Sequence, residues 1–176
     1  MKRLVQFKAV ILLIVLSVLL AACSSSSDDT NSENDKNNND EELVLTLGET
    51  GTIKDTLGEY AVTIESAEAH DTFDGIEPER EEFQFVLINF TVENVGETEL
   101  EGDAISIPTL ITETGSRASN DFSKESIDRI KDELHPGEED SGQMIFHHYQ
   151  SDDYKLTFGL GMGSLSNQVT WEFSIE

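Results

Sequence analysis

The sequence predicts an all-β antiparallel sandwich over residues 43–176, and three observations carry that reading. Apolar side chains recur at every second position in short runs, most cleanly at Val169, Trp171, Phe173 and Ile175. Turn-forming groups such as Asp74-Gly75, Thr114-Gly115 and His135-Pro136-Gly137-Glu138 separate those runs. The longest apolar run after the N-terminal leader, Phe83 to Val95, also alternates, with Val86, Ile88, Phe90 and Val92 on one side. A strand presents its two faces alternately, so period-two patterning between turn signals marks strands half covered by a core.

Taken in order, Leu43, Leu45 and Leu47 alternate in a first strand that ends at Gly48, and a weakly marked strand follows near Thr52 to Lys54. Tyr60, Val62 and Ile64 mark the next strand, and a loop with Asp74-Gly75 and Pro78 leads to the central one. That central run exceeds the usual five or six residues, which predicts a bend or bulge within it. Phe85 and Leu87 make its early part apolar on the second face as well. After the Asn94-Val95-Gly96-Glu97 turn, Ile105 to Thr112 reads as an interrupted strand. Pro108 has no amide hydrogen to donate, so it places that strand at a sheet edge or a bulge.

Ser116 to Leu134 supports two readings. Ile127, Ile130 and Leu134 sit at i, i+3 and i+7 behind Ser123 as an N-cap, which describes a short helix near 123–134; irregular chain is the alternative. His135-Pro136-Gly137-Glu138 then predicts a type II turn, with proline fixing φ at its second position and glycine supplying positive φ at its third. Strands follow from Gln143 to Tyr149, from Tyr154 to Gly159 and from Gln168 to Ile175. In the last, Thr170, Glu172 and Ser174 form the expected wet face opposite Trp171.

The N-terminus carries an address. Lys2, Arg3 and Lys8 precede an apolar run from Ala9 to Leu20, too short to cross a bilayer but fitting for a secretory signal over residues 1–22. Leu20-Ala21-Ala22-Cys23 resembles a bacterial lipobox, and that resemblance implies a diacylglyceryl group on Cys23 after cleavage. Two acyl chains hold a domain stably at a membrane, where one would exchange. Cys23 is the only cysteine, so no intramolecular disulfide can form. Ser24 to Glu42 reads SSSSDDTNSENDKNNNDEE, with no apolar residue, and predicts a disordered tether over 23–42. Its coil span is about 25 Å and its extended limit about 65 Å.

Net charge is −25, and loss of Lys2, Arg3 and Lys8 with an acid-free leader takes it to −28. Such a field repels phosphate backbones and anionic headgroups, which argues against nucleic acid as a partner. Candidate chemistry is thin. His147 and His148 are adjacent on a predicted strand and point to opposite faces, so they do not close on one metal. Gly159-Leu160-Gly161-Met162-Gly163 has no following helix and reads as a hairpin connection rather than a phosphate loop. Asp71, Asp74, Glu77, Glu79, Glu81 and Glu82 make a weak calcium site an alternative, although His70 and Thr72 stand where an EF-hand register needs acids. The chain contains no G-x-S-x-G, S-x-x-K or H-E-x-x-H motif, so no catalytic, cofactor or metal residue is assigned.

Several groups together resemble the telokin-like, immunoglobulin-like extracellular domain of bacterial lipoproteins, related to a secreted immunoprotective antigen. They are Asn94-Val95-Gly96, Thr112-Glu113-Thr114-Gly115, Leu134-His135-Pro136-Gly137-Glu138 and Gly142-Gln143-Met144-Ile145-Phe146, spread over Leu43 to Glu176. Ser116-Arg117-Ala118 and His147-His148 depart from the family pattern. The resemblance implies an immunoglobulin-like sandwich at the cell surface, with no agreed activity; with the lipobox, the expected location is the extracytoplasmic face of the cell membrane of a Gram-positive bacterium, lipid-anchored. The expected role is a surface-anchored binding module for an extracellular or envelope protein. The alternatives are an accessory lipoprotein of a membrane transporter or envelope complex, a weak calcium-binding module, and a hydrolase.

Overall fold

The computed structural model describes residues 43–102, 105, 107–121 and 126–175. The signal segment, Cys23, the acidic tether and the Ser123 cap position lie outside the described residues. In chain order the strands are β1 (Leu43–Leu45), β2 (Thr50–Lys54), β3 (Glu59–His70), β4 (Phe83–Asn94), β5 (Leu100–Glu101) and β6 (Thr109–Thr112). They continue with β7 (Arg117–Ser119), β8 (Glu133–Leu134), β9 (Glu139–Tyr149), β10 (Asp153–Phe158) and β11 (Val169–Ser174). One sheet has the order β1-β11-β10-β6-β7, a second β2-β3-β4-β9, and β5 pairs with β8 in a two-stranded ribbon. Both large sheets supply the core: Tyr60, Ile64, Ile88 and Phe146 from one meet Leu110, Leu156, Phe158 and Trp171 from the other. This is the all-β, immunoglobulin-like sandwich that the alternation predicts, except that β1 runs parallel to β11.

The central strand holds its expected faces. Val86, Ile88, Phe90 and Val92 are buried between the sheets, while Phe85 and Leu87 on the outer face join Ile127, Ile145 and Phe73 in a second apolar cluster. The expected irregularity sits in the partner strand instead. β4 pairs with β9 without interruption from Phe83↔Tyr149 to Glu93↔Glu139, and the register shift falls in β3, between Ile64 and Ser66. Glu65 is the extra residue, so the bend demanded by a long twisted pair is absorbed at one position of β3.

The helix near 123–134 is a second correction. Across the described residues 126–134 the chain is turn, bend and strand. Ile127 goes into the outer cluster, Ile130 packs on the main core, and Leu134 is buried within β8. Its backbone serves β9 rather than itself, with Gln143 N–H donating to the Asp128 carbonyl (2.7 Å), and further back in the chain Asp121 N–H donates to the carbonyl of Ile145 (2.8 Å). This segment therefore covers the free edge of β9, which would otherwise template pairing with another chain. The opposite edge, β2, is covered by Asn167, whose side-chain oxygen accepts from Lys54 N–H (2.7 Å) and whose amide donates to the Thr52 carbonyl (2.8 Å).

Two smaller expectations also change. Pro108 precedes β6 rather than interrupting it, and β6 lies inside its sheet between β10 and β7, with β7 unforeseen in the sequence. Thr170 is fully buried, its hydroxyl paired with that of Thr157 at 3.0 Å, so only Glu172 and Ser174 make the wet face of β11. The turn after Leu134 forms as expected, with Gly137 at φ 78° and Glu138 N–H donating to the His135 carbonyl at 2.9 Å.

Register gathers the connections at two ends. Leu43 pairs with Val169, Tyr60 with Asn94, Thr109 with Thr157, and Asp55 bridges Ser166. The start of β1, the 55–58 hairpin, the turns at 95–99 and 135–138 and the 159–168 connection therefore share one end. Residues 71–82 and 150–152 lie at the other.

Candidate functional site

The ribbon of β5 and β8 builds an acidic face at the first end. Leu100 lies opposite Leu134 and Glu101 opposite Glu133. Both leucines are buried, so strand alternation turns Glu99, Glu101, Glu133 and His135 outward together. Like charges placed directly opposite destabilise a strand pair, so packing of the leucines holds an arrangement the carboxylates oppose. The hydrogen bond that the protonated Glu133 carboxyl donates to Glu99, and then the negative charge of Glu99, raise the Glu133 pKa above its ordinary value. His135 Nδ1 stands 3.3 Å from Glu99 Oε1 and 4.0 Å from Glu133 Oε1. Ligand atoms of Glu99, Glu133 and His135 all lie within 4.8 Å of one another. All three side chains are exposed, so the group acts as a concentrated negative surface.

Beside this face an open cleft of about 1060 Å³ cuts into the flank of the sandwich. Phe90, Met144, Ile105, Ile127 and Ile130 line it with apolar surface, while Glu99, Glu101, Asp132 and Glu133 bring carboxylates to it and Arg129 one guanidinium. Gln143 braces the wall: its amide donates to Asn89 Oδ1 (2.9 Å) and its oxygen accepts from Asp128 N–H (3.2 Å). An apolar cavity bordered by carboxylates suits a ligand that is apolar in body and cationic at its ends. The alternating Glu99-Leu100-Glu101 and Glu133-Leu134-His135 triplets were the sequence signal for this face. Nothing local said that the two would pair.

The sequence-level candidates stand elsewhere. His147 faces outward and stacks on Phe85, with ring centroids 5.1 Å apart, whereas His148 points inward and is buried. The two do occupy opposite faces. His148 Nδ1 accepts Tyr149 N–H (2.9 Å) and Nε2 meets the Ser116 carbonyl (3.1 Å). Burial lowers its pKa, partly offset by the backbone of Ser116 and of Leu110. In the 71–82 loop, Asp74 accepts from Ser126 Oγ at 2.6 Å, and Phe73 and Ile76 exchange two backbone bonds around Asp74-Gly75. Among the described residues the acids of that loop do not converge on a common point; the converging group is Glu99, Glu133 and His135. Gly159 to Gly163 connects β10 to a single 3₁₀ turn, Gly163–Leu165, and then to β11. Cys23, the assigned lipidation residue, is outside the described residues.

With this geometry in hand, comparison adds a family and a fold. The model of a domain of unknown function (DUF4352) matches residues 47–168. Among solved structures, the chain is similar to MPT63, a secreted protein of Mycobacterium tuberculosis: identity is 17%, with 75% of this chain and 98% of that one covered, and the TM-score is 0.56. It is also similar to ycdA of Bacillus subtilis, named as a candidate lipoprotein, at 16% identity and TM-score 0.50, covering 72% of this chain and 39% of that one. An uncharacterized β-sandwich protein of Clostridium difficile 630 matches at 12% identity and TM-score 0.48 over 86% of this chain and all of the other. At these identities the likeness shows the fold alone. No curated protein matches the chain.

Proposed function

The chain belongs to the DUF4352 family, a domain of unknown function, and on that premise we propose a lipid-anchored envelope protein whose sandwich binds a cationic, amphipathic ligand in the flank cleft. The observation that carries the reading is the juxtaposition of Glu99, Glu101, Asp132 and Glu133 with an open apolar cavity. Carboxylates grouped at a low-dielectric wall focus the field and raise the local concentration of cations. The ligand class is a basic peptide segment with apolar side chains, and binding is non-covalent. Signal segment, Cys23 and tether support display at the outer membrane face, and the secreted or lipoprotein nature of the similar proteins agrees with that address. The absence of a recognisable catalytic motif from the sequence favours binding over hydrolysis. A second reading, as an accessory to a membrane complex, is favoured because the acidic face shares the end of the sandwich at which the chain enters, at Leu43.

Calorimetric titration of a short lysine- and leucine-containing peptide into the protein tests the reading. Affinity should fall steeply between about 50 and 500 mM salt, and Glu101→Gln/Glu133→Gln should lose roughly tenfold. No binding at low salt, or binding indifferent to both salt and the double substitution, overturns it.

A further inference from the structure

Exposed apolar side chains are unevenly distributed over the sandwich. Among the described residues, Leu43, Leu57, Val95, Ile107, Met162 and Leu165 lie at the end where the chain enters, with Val44 one residue further into β1, against Ile76 and Tyr149 at the other end. The three most exposed are Leu165 (57%), Ile107 (55%) and Leu57 (54%). Two of them are fixed beside each other: the Asp55↔Ser166 bridge joins the 55–58 hairpin to the 159–168 connection, so Leu57 and Leu165 stand on neighbouring tips. Asp55 turns its carboxylate back to accept from Leu57 N–H (2.8 Å) and Gly58 N–H (3.2 Å). From Gly159 to Gln168 there is no charged side chain, although 27% of the whole chain is charged.

We propose that these apolar tips touch the lipid surface from which the domain is tethered, a contact that rests on the lipid-anchored reading above. The occupant follows from where the chain outside the sandwich attaches. Between Cys23 and Leu43 the sequence has 19 residues, all polar, for which a coil span of about 25 Å is expected, and the described chain begins at the end that carries the tips. At such a separation the effective concentration of lipid surface is high enough for a contact too weak to hold a free protein. Leucine, isoleucine and methionine then leave water for the interfacial region, while Glu97, Glu99 and Glu133 at the same end oppose approach to anionic headgroups. The contact is therefore apolar in origin, and salt strengthens it on anionic bilayers by screening that repulsion.

The full, processed chain reconstituted in phosphatidylcholine vesicles tests this, with Leu165→Trp at the proposed contact and Ile76→Trp at the far end. Acyl chains carrying bromine quench a tryptophan that reaches them, and the buried native Trp171 gives both variants the same background. The expected result is quenching at least twofold greater for Leu165→Trp, reduced to the Ile76→Trp level when Leu57→Asp is added. On phosphatidylglycerol vesicles the excess should grow as salt rises. Protein that sediments with vesicles but is quenched equally at both ends overturns the lipid contact alone, and leaves the tips to a protein partner or a second copy. A decrease with salt assigns the end to electrostatic attraction and also overturns it. Failure to sediment with vesicles overturns the anchor, and the contact with it.

Discussion

The indole nitrogen of Trp171 donates to the backbone carbonyl of Glu49 at 2.9 Å, tying the middle of β11 to the start of β2 in the opposite sheet. Trp171 is fully buried and packs edge-on against Phe158, with ring centroids 5.6 Å apart. One side chain thus fills the core and satisfies a backbone acceptor between the sheets.

Trp171→Ala should therefore cost about 3 to 5 kcal/mol, a large share of a stability near 5 to 15. Trp171→Phe keeps most of the volume and loses the hydrogen bond, so it should cost less. Urea unfolding ranks the two. Native fluorescence should be blue-shifted, and emission like that of free tryptophan would contradict this packing.

Thr157 and Thr170 are cross-strand partners whose hydroxyls meet in a buried pair. Removing the Thr170 hydroxyl takes a partner from that of Thr157, so Thr170→Val should destabilise by about 1 to 2 kcal/mol, and Thr157→Val/Thr170→Val should cost less than the sum of the two single substitutions. Glu172, on the same face but exposed and paired with Lys155, should change stability by less than about 0.5 kcal/mol on substitution by alanine. A double-mutant cycle measured in urea checks the coupling.

His148 gives the fold a pH dependence of definite sign. Tyr149 N–H donates to Nδ1, so the ring proton sits on Nε2 against the Ser116 carbonyl, and adding a second proton breaks the Tyr149 contact. Burial holds the folded imidazole below its ordinary value, while the unfolded one titrates near about 6.5. Between the two values the unfolded chain binds more protons. Stability from this group is thus fully present above about pH 6.5 and is lost as pH falls toward the folded value. Urea midpoints at about pH 7.5 and 5.5 should differ in the native protein, and by less in His148→Phe.

Cys23→Ser should release the protein from membranes and leave the melting temperature of the sandwich unchanged, since the thiol has no disulfide partner in this chain. Cell fractionation decides it. A processed variant still bound to membranes would mean that another feature holds the protein there.

The sequence by itself determined the long core strands and the tight turn at 135–138, because each rests on neighbours in the chain. Alternation at Val86, Ile88, Phe90 and Val92, or at Val169, Trp171 and Phe173, follows from strand geometry alone, and Pro136-Gly137 sets its own dihedral angles. What only the tertiary structure decided was what lies across from each face. Thr170 alternates with Trp171 as a wet residue should, yet it is buried, since alternation fixes opposite sides without saying whether the second is covered. Ile127, Ile130 and Leu134 have helical spacing, but the exposed edge of β9 offered their backbone better partners than a helix would, and the three side chains went into two clusters and a ribbon. Glu99 and His135 are distant in sequence and 3.3 Å apart in space because Leu100 and Leu134 seek the same core. The charged face of this protein is a by-product of where two buried leucines pair, and pairing between distant segments is decided by core packing and long-range register rather than by local pattern.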